Sequence, residues 1–191
     1  MKRLIVTDTG PLIIYARTGN LPVLRGVADC IVLTQTVLHE CTRNAWQPGA
    51  AAILDALAQG HLATVPDVTT DATGKASLAP GEKSAINYAL TQDPQHSRLL
   101  MDEVRGRAVA KHLGLAVIGS AGLLVVAKKM GLVAQVKPVI GSWRQAGYWI
   151  DRAVVSSVLQ AAGEDIWAIF KSRRPAKNCH SRTMAEVSRA Q

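Results

Sequence analysis

Four acids in this 191-residue chain stand where solvation alone does not explain them. Asp8 ends the apolar run Arg3-Leu-Ile-Val-Thr7, and Asp102 ends Leu99-Leu100-Met101. Glu40 lies beside Val37 and Cys41, at the edge of an apolar helical stripe. Glu82 heads such a stripe, with Ala85, Ile86, Ala89 and Leu90 following at i+3, i+4, i+7 and i+8. Each acid has a plain reading. Asp8 and Asp102 suit helix N-caps, and Glu40 suits a solvated face. Glu82 suits a first helical turn, where the dipole favours an acid by about 0.3–1 kcal/mol. The dipole accounts for the charge of Glu82 but not for its inward aim. Brought together, the four repel one another and burial raises their pKa values, which is costly unless a cation shares the site. Oxygen-only donors select Mg²⁺ or Mn²⁺, and no Cys/His set suits zinc. A divalent cation held by carboxylates is the usual apparatus of phosphodiester hydrolysis.

The elements that must position these acids alternate along the chain. Short apolar strands are expected at residues 3–8, 29–33, 61–65, 98–101 and 115–118. Helices are expected at 12–18, opened by Thr9-Gly10-Pro11, and at 21–27, 35–43, 50–59, 81–91, 104–113 and 121–130. Residues 67–79 read as a polar loop. Strands and helices at this spacing predict βαβ units and a five-stranded parallel sheet. In open sheets of this class the working site lies beyond the carboxyl ends of the strands. Two further helices are expected at 136–146 and 150–162. The second carries Ile150, Val154, Val158 and Ala162 on one stripe, with Val155 and Leu159 beside it, as a covering layer or a dimer face.

With 48% hydrophobic and 19% charged residues the chain supports a core and is not intrinsically disordered. Its eight aromatic residues argue against an aromatic platform for stacking bases. Cys30, Cys41 and Cys179 are odd in number and lack CxxC spacing, which points to a reducing cytosol and a cytoplasmic protein. No targeting segment is expected, because Asp8 interrupts the apolar run after Met1-Lys2-Arg3. The apolar stretch Ala121–Ala127 ends at Lys128-Lys129, far short of the roughly 20 residues of a membrane span. The net charge of +8 is concentrated in residues 171–191, where six basic residues stand against Glu186. The expected organisation is therefore a domain over residues 1–164 and a basic, flexible C-terminal tail over 165–191, suited to a phosphate backbone.

Together the motifs resemble a known family. Val6-Thr-Asp8-Thr-Gly-Pro-Leu-Ile13, Val37-Leu-His-Glu40, Gly81-Glu82-Lys-Ser-Ala-Ile86 and Leu100-Met-Asp102-Glu-Val-Arg-Gly-Arg107 resemble the PIN domain, more narrowly its DUF3368 branch. So do Leu115-Ala-Val-Ile-Gly-Ser-Ala-Gly-Leu-Leu124, Lys128-Lys129-Met-Gly-Leu-Val133 and the closing helix pair. The similarity runs over residues 3–164. It implies a three-layer α/β/α fold with a five-stranded parallel sheet and an acidic pocket for one or two Mg²⁺ or Mn²⁺ ions. It also implies metal-dependent endoribonuclease activity, often as the VapC-like toxin of a toxin–antitoxin pair. The family's four acids fall on Asp8, Glu40, Glu82 and Asp102. Glu103 stands where the branch often has a second acid beside the metal, and Ser120 matches a polar position of the family.

The expected chemistry is hydrolysis of single-stranded RNA, leaving the 5′-phosphate and 3′-hydroxyl that the resemblance implies. Ser120 opens the helix after the fifth strand, where N–H groups suit a phosphate, although an ordinary N-cap is the readier explanation. Arg105 and Arg107 follow Asp102 and suit the RNA backbone, or a solvated helix face. A cognate antitoxin and a homodimer are the expected protein partners. The alternatives are a non-catalytic PIN-like binding or regulatory protein and a DNA-directed nuclease. A receiver-like phosphoacceptor domain is disfavoured, since Gly119-Ser120 follows the fifth strand where an activating lysine is required.

Overall fold

The computed structural model describes residues 3–164, apart from residues 45, 47 and 75. The basic tail expected over 165–191, and with it Cys179, lies outside the described residues. In chain order the described elements are β1 (Leu4–Thr7), α1 (Thr9–Arg17), α2 (Leu21–Val27), β2 (Cys30–Thr34), α3 (Gln35–Thr42), α4 (Ala50–Ala58) and β3 (Ala63–Val65). There follow α5 (Pro80–Ala89), β4 (Ser97–Leu100), α6 (Val104–His112), β5 (Val117–Ile118), α7 (Ser120–Lys129), α8 (Val136–Gln145) and α9 (Arg152–Ala161).

The five strands form one parallel sheet in the order β3-β2-β1-β4-β5, flanked by helices as a three-layer α/β/α fold. The chain builds outward from β1 through β2 to β3. It then crosses back to place β4 on the other side of β1. This reversal opens a crevice at the carboxyl ends of β1 and β4, the topological switch point at which open α/β sheets bind ligands. The ladder carries both strand ends to that crevice in register. Thr7 pairs with Leu100, the Asp8 N–H donates to the Leu100 carbonyl at 3.0 Å, and the Met101 N–H donates to the Ile118 carbonyl at 3.0 Å.

The central strands are apolar on both faces, as a sandwiched parallel sheet requires. Val6, Val32, Leu33, Leu99 and Leu100 are all buried. Helix starts follow local chemistry. Thr34 caps α3 by accepting from the Val37 N–H at 3.3 Å. Pro80 opens α5, where its missing N–H costs nothing. Asp67, just past β3, accepts from the Thr36 hydroxyl at 3.0 Å and from the Ser84 hydroxyl, bracing the starts of α3 and α5.

The closing helices form a covering layer, with α9 packed on α7 and α8. The buried stripe of α9 is Val155, Val158 and Leu159. Val154, expected on that stripe, is 47% exposed. The helix is rolled toward α7, so Val154 turns to solvent, while Ile150, which precedes the helix, stays partly buried against the core. Glu164 fastens the layer: it accepts from Lys128 Nζ at 2.8 Å and from the Val136 and Lys137 N–H groups at 2.6 and 2.8 Å. Burial opposes its charge, but Lys128 and these two amides outweigh it and hold the carboxyl below its ordinary pKa. Replacing Glu164 by Ala should therefore destabilise the domain by about 1.5–3 kcal/mol at neutral pH, the range for hydrogen bonds to a charged group. The difference should shrink as pH falls below the ordinary carboxylate range, since the wild-type stabilisation is lost there. A pH-independent deficit in urea midpoints would attribute the effect to packing alone.

Candidate active site

Asp8 follows β1 directly and occupies the N-cap position of α1, yet its side chain makes no capping hydrogen bond. The residue is only 6% exposed, so its carboxylate has little water to stabilise its charge. Burial pushes its pKa up to about 7. The Thr9 N–H opposes that rise, while the charges of Glu82, Glu40 and Asp102 add to it. All three other acids therefore lie within electrostatic reach of Asp8. The same negative field acts on Cys41: burial, then Asp8 and Glu40, push its thiol up to about 12, so it is no nucleophile.

The other acids are held by protein donors. Glu40, projected from α3, accepts from Thr9 Oγ1 at 2.6 Å and from the Gly81 N–H at 2.9 Å. It thereby joins the starts of α1 and α5. Gly81 is needed for this approach, because a Cβ there would run into Glu40 Oε2 and stand 2.8 Å from Thr9 Oγ1. Glu82, the third residue of α5, accepts from the Ala79 N–H at 3.0 Å. This is half a capping box, since Ala79 has no side-chain acceptor to return the bond.

Asp102 lies two residues past β4. Its Oδ1 accepts from the Ser120 N–H at 2.8 Å, and its Oδ2 from the Ser120 and Tyr148 hydroxyls. Burial, then the Asp102 charge, raise the Tyr148 pKa well above the ordinary tyrosine range, so Tyr148 stays a donor. Its ring meets Trp143 edge-on at 6.1 Å, and Trp143 meets Tyr15 at 5.2 Å. Tyr15 Oη donates to the Ser120 carbonyl at 2.9 Å, closing the brace. A Cβ at Gly119 would run into Arg107 Nη1 and stand 3.0 Å from Asp102 Oδ1, so this corner too is fitted around a glycine.

The remaining expected residues take different places. Glu103, not Asp102, is the N-cap of α6; it is exposed and accepts from the Arg105 N–H at 3.3 Å. Ser120 is fully buried, and both its N–H and its hydroxyl are spent on Asp102. It positions an acid, where its place at the helix start suggested a phosphate. Arg107 is half-buried beside Asp102 and donates to the Met101 carbonyl at 3.2 Å, whereas Arg105 is exposed. Thr9, Gly81 and Tyr148 belong to the site and went unread. Pro80-Gly81-Glu82 carries a visible signal for the second of these, a glycine inside a helix start beside a candidate acid. Tyr148 carries none, since nothing local relates it to Asp102.

In donor chemistry the pocket fits a hard divalent cation. Its four acids offer hard carboxylate oxygens, and among the described residues Asp8 is buried with no side-chain cap and no ion pair, only the Thr9 N–H opposing the cost of its charge. In position the fit is looser. Among the described residues no group of three or more His, Cys, Asp or Glu stands close enough to hold a metal ion.

A family model described as DUF3368: PIN domain matches residues 4–164. No curated protein and no solved structure matches the chain.

Two outcomes are expected from this geometry. Because Asp8 titrates near 7 when folded and near 3.8 when unfolded, the folded state binds the extra proton between those values. Metal-free stability should fall as pH rises from about 4 to about 7. At pH above 7 metal-free Asp8→Asn should melt higher than wild type, by on the order of 4 kcal/mol at most, with the gap closing toward pH 4. Equal melting at both ends would remove the burial cost. Gly81→Ala should shift the Glu40 carboxylate and lower activity, while its gain in helix propensity of about 1 kcal/mol masks much of the loss in melting temperature. Unchanged activity would show that Glu40 tolerates the displacement.

Proposed function

The chain belongs to the DUF3368 PIN-domain family, a nuclease fold, and on that premise we propose that it is a Mg²⁺- or Mn²⁺-dependent endoribonuclease. It cuts single-stranded RNA and serves as the toxin of a toxin–antitoxin pair. The observation that carries the reading is Asp8: a buried acid at the switch point, uncapped, its pKa lifted to about 7 by burial and by three further acids. A purely structural acid at that position would cap its helix.

Asp8, Glu40, Glu82 and Asp102 would hold the cation, with Glu103 at the rim. When bound, such a cation supplies Lewis acidity, activating water and offsetting charge on the phosphate. The chain's own residues do the rest. The Thr9 hydroxyl and the Gly81 N–H orient Glu40, and Ser120 and Tyr148 orient Asp102. Arg107 faces the RNA backbone beside them. Asp8 must give up its proton to serve as a ligand, so loading near neutral pH releases protons.

One observation favours a second reading, a partner-docking PIN-like protein without catalysis: Glu40, Glu82 and Asp102 already have protein donors. One assay separates the two. Purified protein incubated with single-stranded RNA in Mg²⁺ or Mn²⁺ should cleave it, stop in chelator, and lose cleavage in Glu82→Gln. Cleavage that persists in excess EDTA overturns the mechanism, and none in any divalent cation leaves the docking reading. Preference for single-stranded DNA would reassign the substrate. Induced expression should arrest growth in wild type and not in Asp8→Asn, and equal growth removes the toxin role.

A further inference from the structure

A groove of about 660 Å³ runs from Asp102 between α6 and the segment joining α8 to α9, within the roughly 300–1,000 Å³ of small-ligand sites. Its near wall carries Val104, Arg107 and Lys111, and its far wall Trp149, Ile150 and Val154. Trp149 is 74% exposed, Val104 76% and Val154 47%, while Trp143 in the adjoining helix is fully buried. An indole held in water beside an apolar wall is unexplained by packing.

From these features we infer that the groove is an RNA subsite flanking the scissile phosphate, with Trp149 stacking a base and Arg107 and Lys111 meeting phosphates. The inference rests on the nuclease reading above and names where its substrate lies. Four observations select a nucleic acid over another occupant. The groove is continuous with the carboxylate pocket, since Asp102 lines both. Among the described residues neither Arg107 nor Lys111 forms an ion pair; Lys111 is exposed, and Arg107, which spends one N–H on the Met101 carbonyl, has further donors for a phosphate. The one other acid on the groove, Asp151, is engaged as the N-cap of α9 through the Ala153 N–H at 2.7 Å. The floor is the first turn of α7, Ala121 and Gly122, whose dipole end favours an anion. The scarcity of aromatic residues rules out a stacking platform, but a single stacked base needs one ring.

The test titrates a short mixed-sequence single-stranded RNA and reads tryptophan fluorescence. It is run in EDTA, and again in Mg²⁺ on an Asp8→Asn background so that no strand is cut. RNA should quench the emission of wild type and of Trp46→Phe, the other strongly exposed described tryptophan. Trp149→Phe keeps a ring; it should retain most of the affinity and lose the quench. Trp149→Ala should weaken binding roughly 5- to 100-fold. Lys111→Ala should lower the slope of log affinity against log salt by about one.

If wild type binds and cleaves RNA while Trp149→Ala binds as wild type, or the quench follows Trp46, the subsite is overturned and the nuclease reading stands. If wild type neither binds nor cleaves, both fall. A concentration-dependent dimer that Trp149→Ala dissociates, with RNA affinity unchanged, would assign the groove to a second copy and overturn the inference.

Discussion

Burying a carboxylate with no ion partner is among the least favourable things a fold can do, and this one does it where the central strand of its sheet ends, with the Thr9 N–H alone set against the cost. The topology leaves no choice of place. β1 is the middle strand, the chain reverses across it, and the residue leaving its carboxyl end enters the crevice so formed. The surroundings are arranged around that cost. Glu40 is tied to Thr9 and Gly81, Asp102 to Ser120 and Tyr148, and Glu82 to Ala79. Donors thus secure the outer acids, and the uncompensated charge falls on Asp8.

Holding acids this close to backbone requires space that side chains deny. At Gly81 and Gly119 a Cβ would occupy the volume used by Glu40 and by Arg107 beside Asp102. At the remaining corner the support is aromatic. Tyr15, Trp143 and Tyr148 meet edge to face, and their two hydroxyls converge on Ser120 and Asp102. Trp143 and Tyr148 come from the closing part of the chain, which Glu164 fastens to α7 and α8. A segment far from the strands in sequence therefore completes the fourth acid's seat.

The sheet, its strand count and its parallel sense were legible because short apolar runs alternate with helical stripes, and that pattern admits few alternatives. The boundaries moved by a residue or two: β3 begins at Ala63 and β5 at Val117, where edge strands pair over a short stretch only. The inward aim of Glu82 and Glu40 was legible because helical periodicity fixes faces. What local pattern cannot encode is which donor meets which acid. Ser120 looked like a cap at a helix start, and only the β4–β5 register brings it to Asp102. The cap of α6 was off by one residue, because tertiary partners claimed Asp102, the better cap by type, and left the role to Glu103. The roll of α9 was illegible for a related reason. Two adjacent apolar stripes competed, and contact with α7 decided for Val155, Val158 and Leu159.

The arrangement divides the pocket into two halves of different character. On the Glu40 side every contact is short-range and rigid: a hydroxyl, a backbone amide and a glycine at the start of a helix. On the Asp102 side the acid is held by Ser120 and by Tyr148, whose chain neighbour Trp149 is the exposed wall of the groove. Anything that presses on Trp149 acts on the segment that aims Tyr148. On the nuclease reading, a substrate held at Trp149 bears on the segment that aims Tyr148 at Asp102, whereas the Glu40 seat is built from α1 and α5.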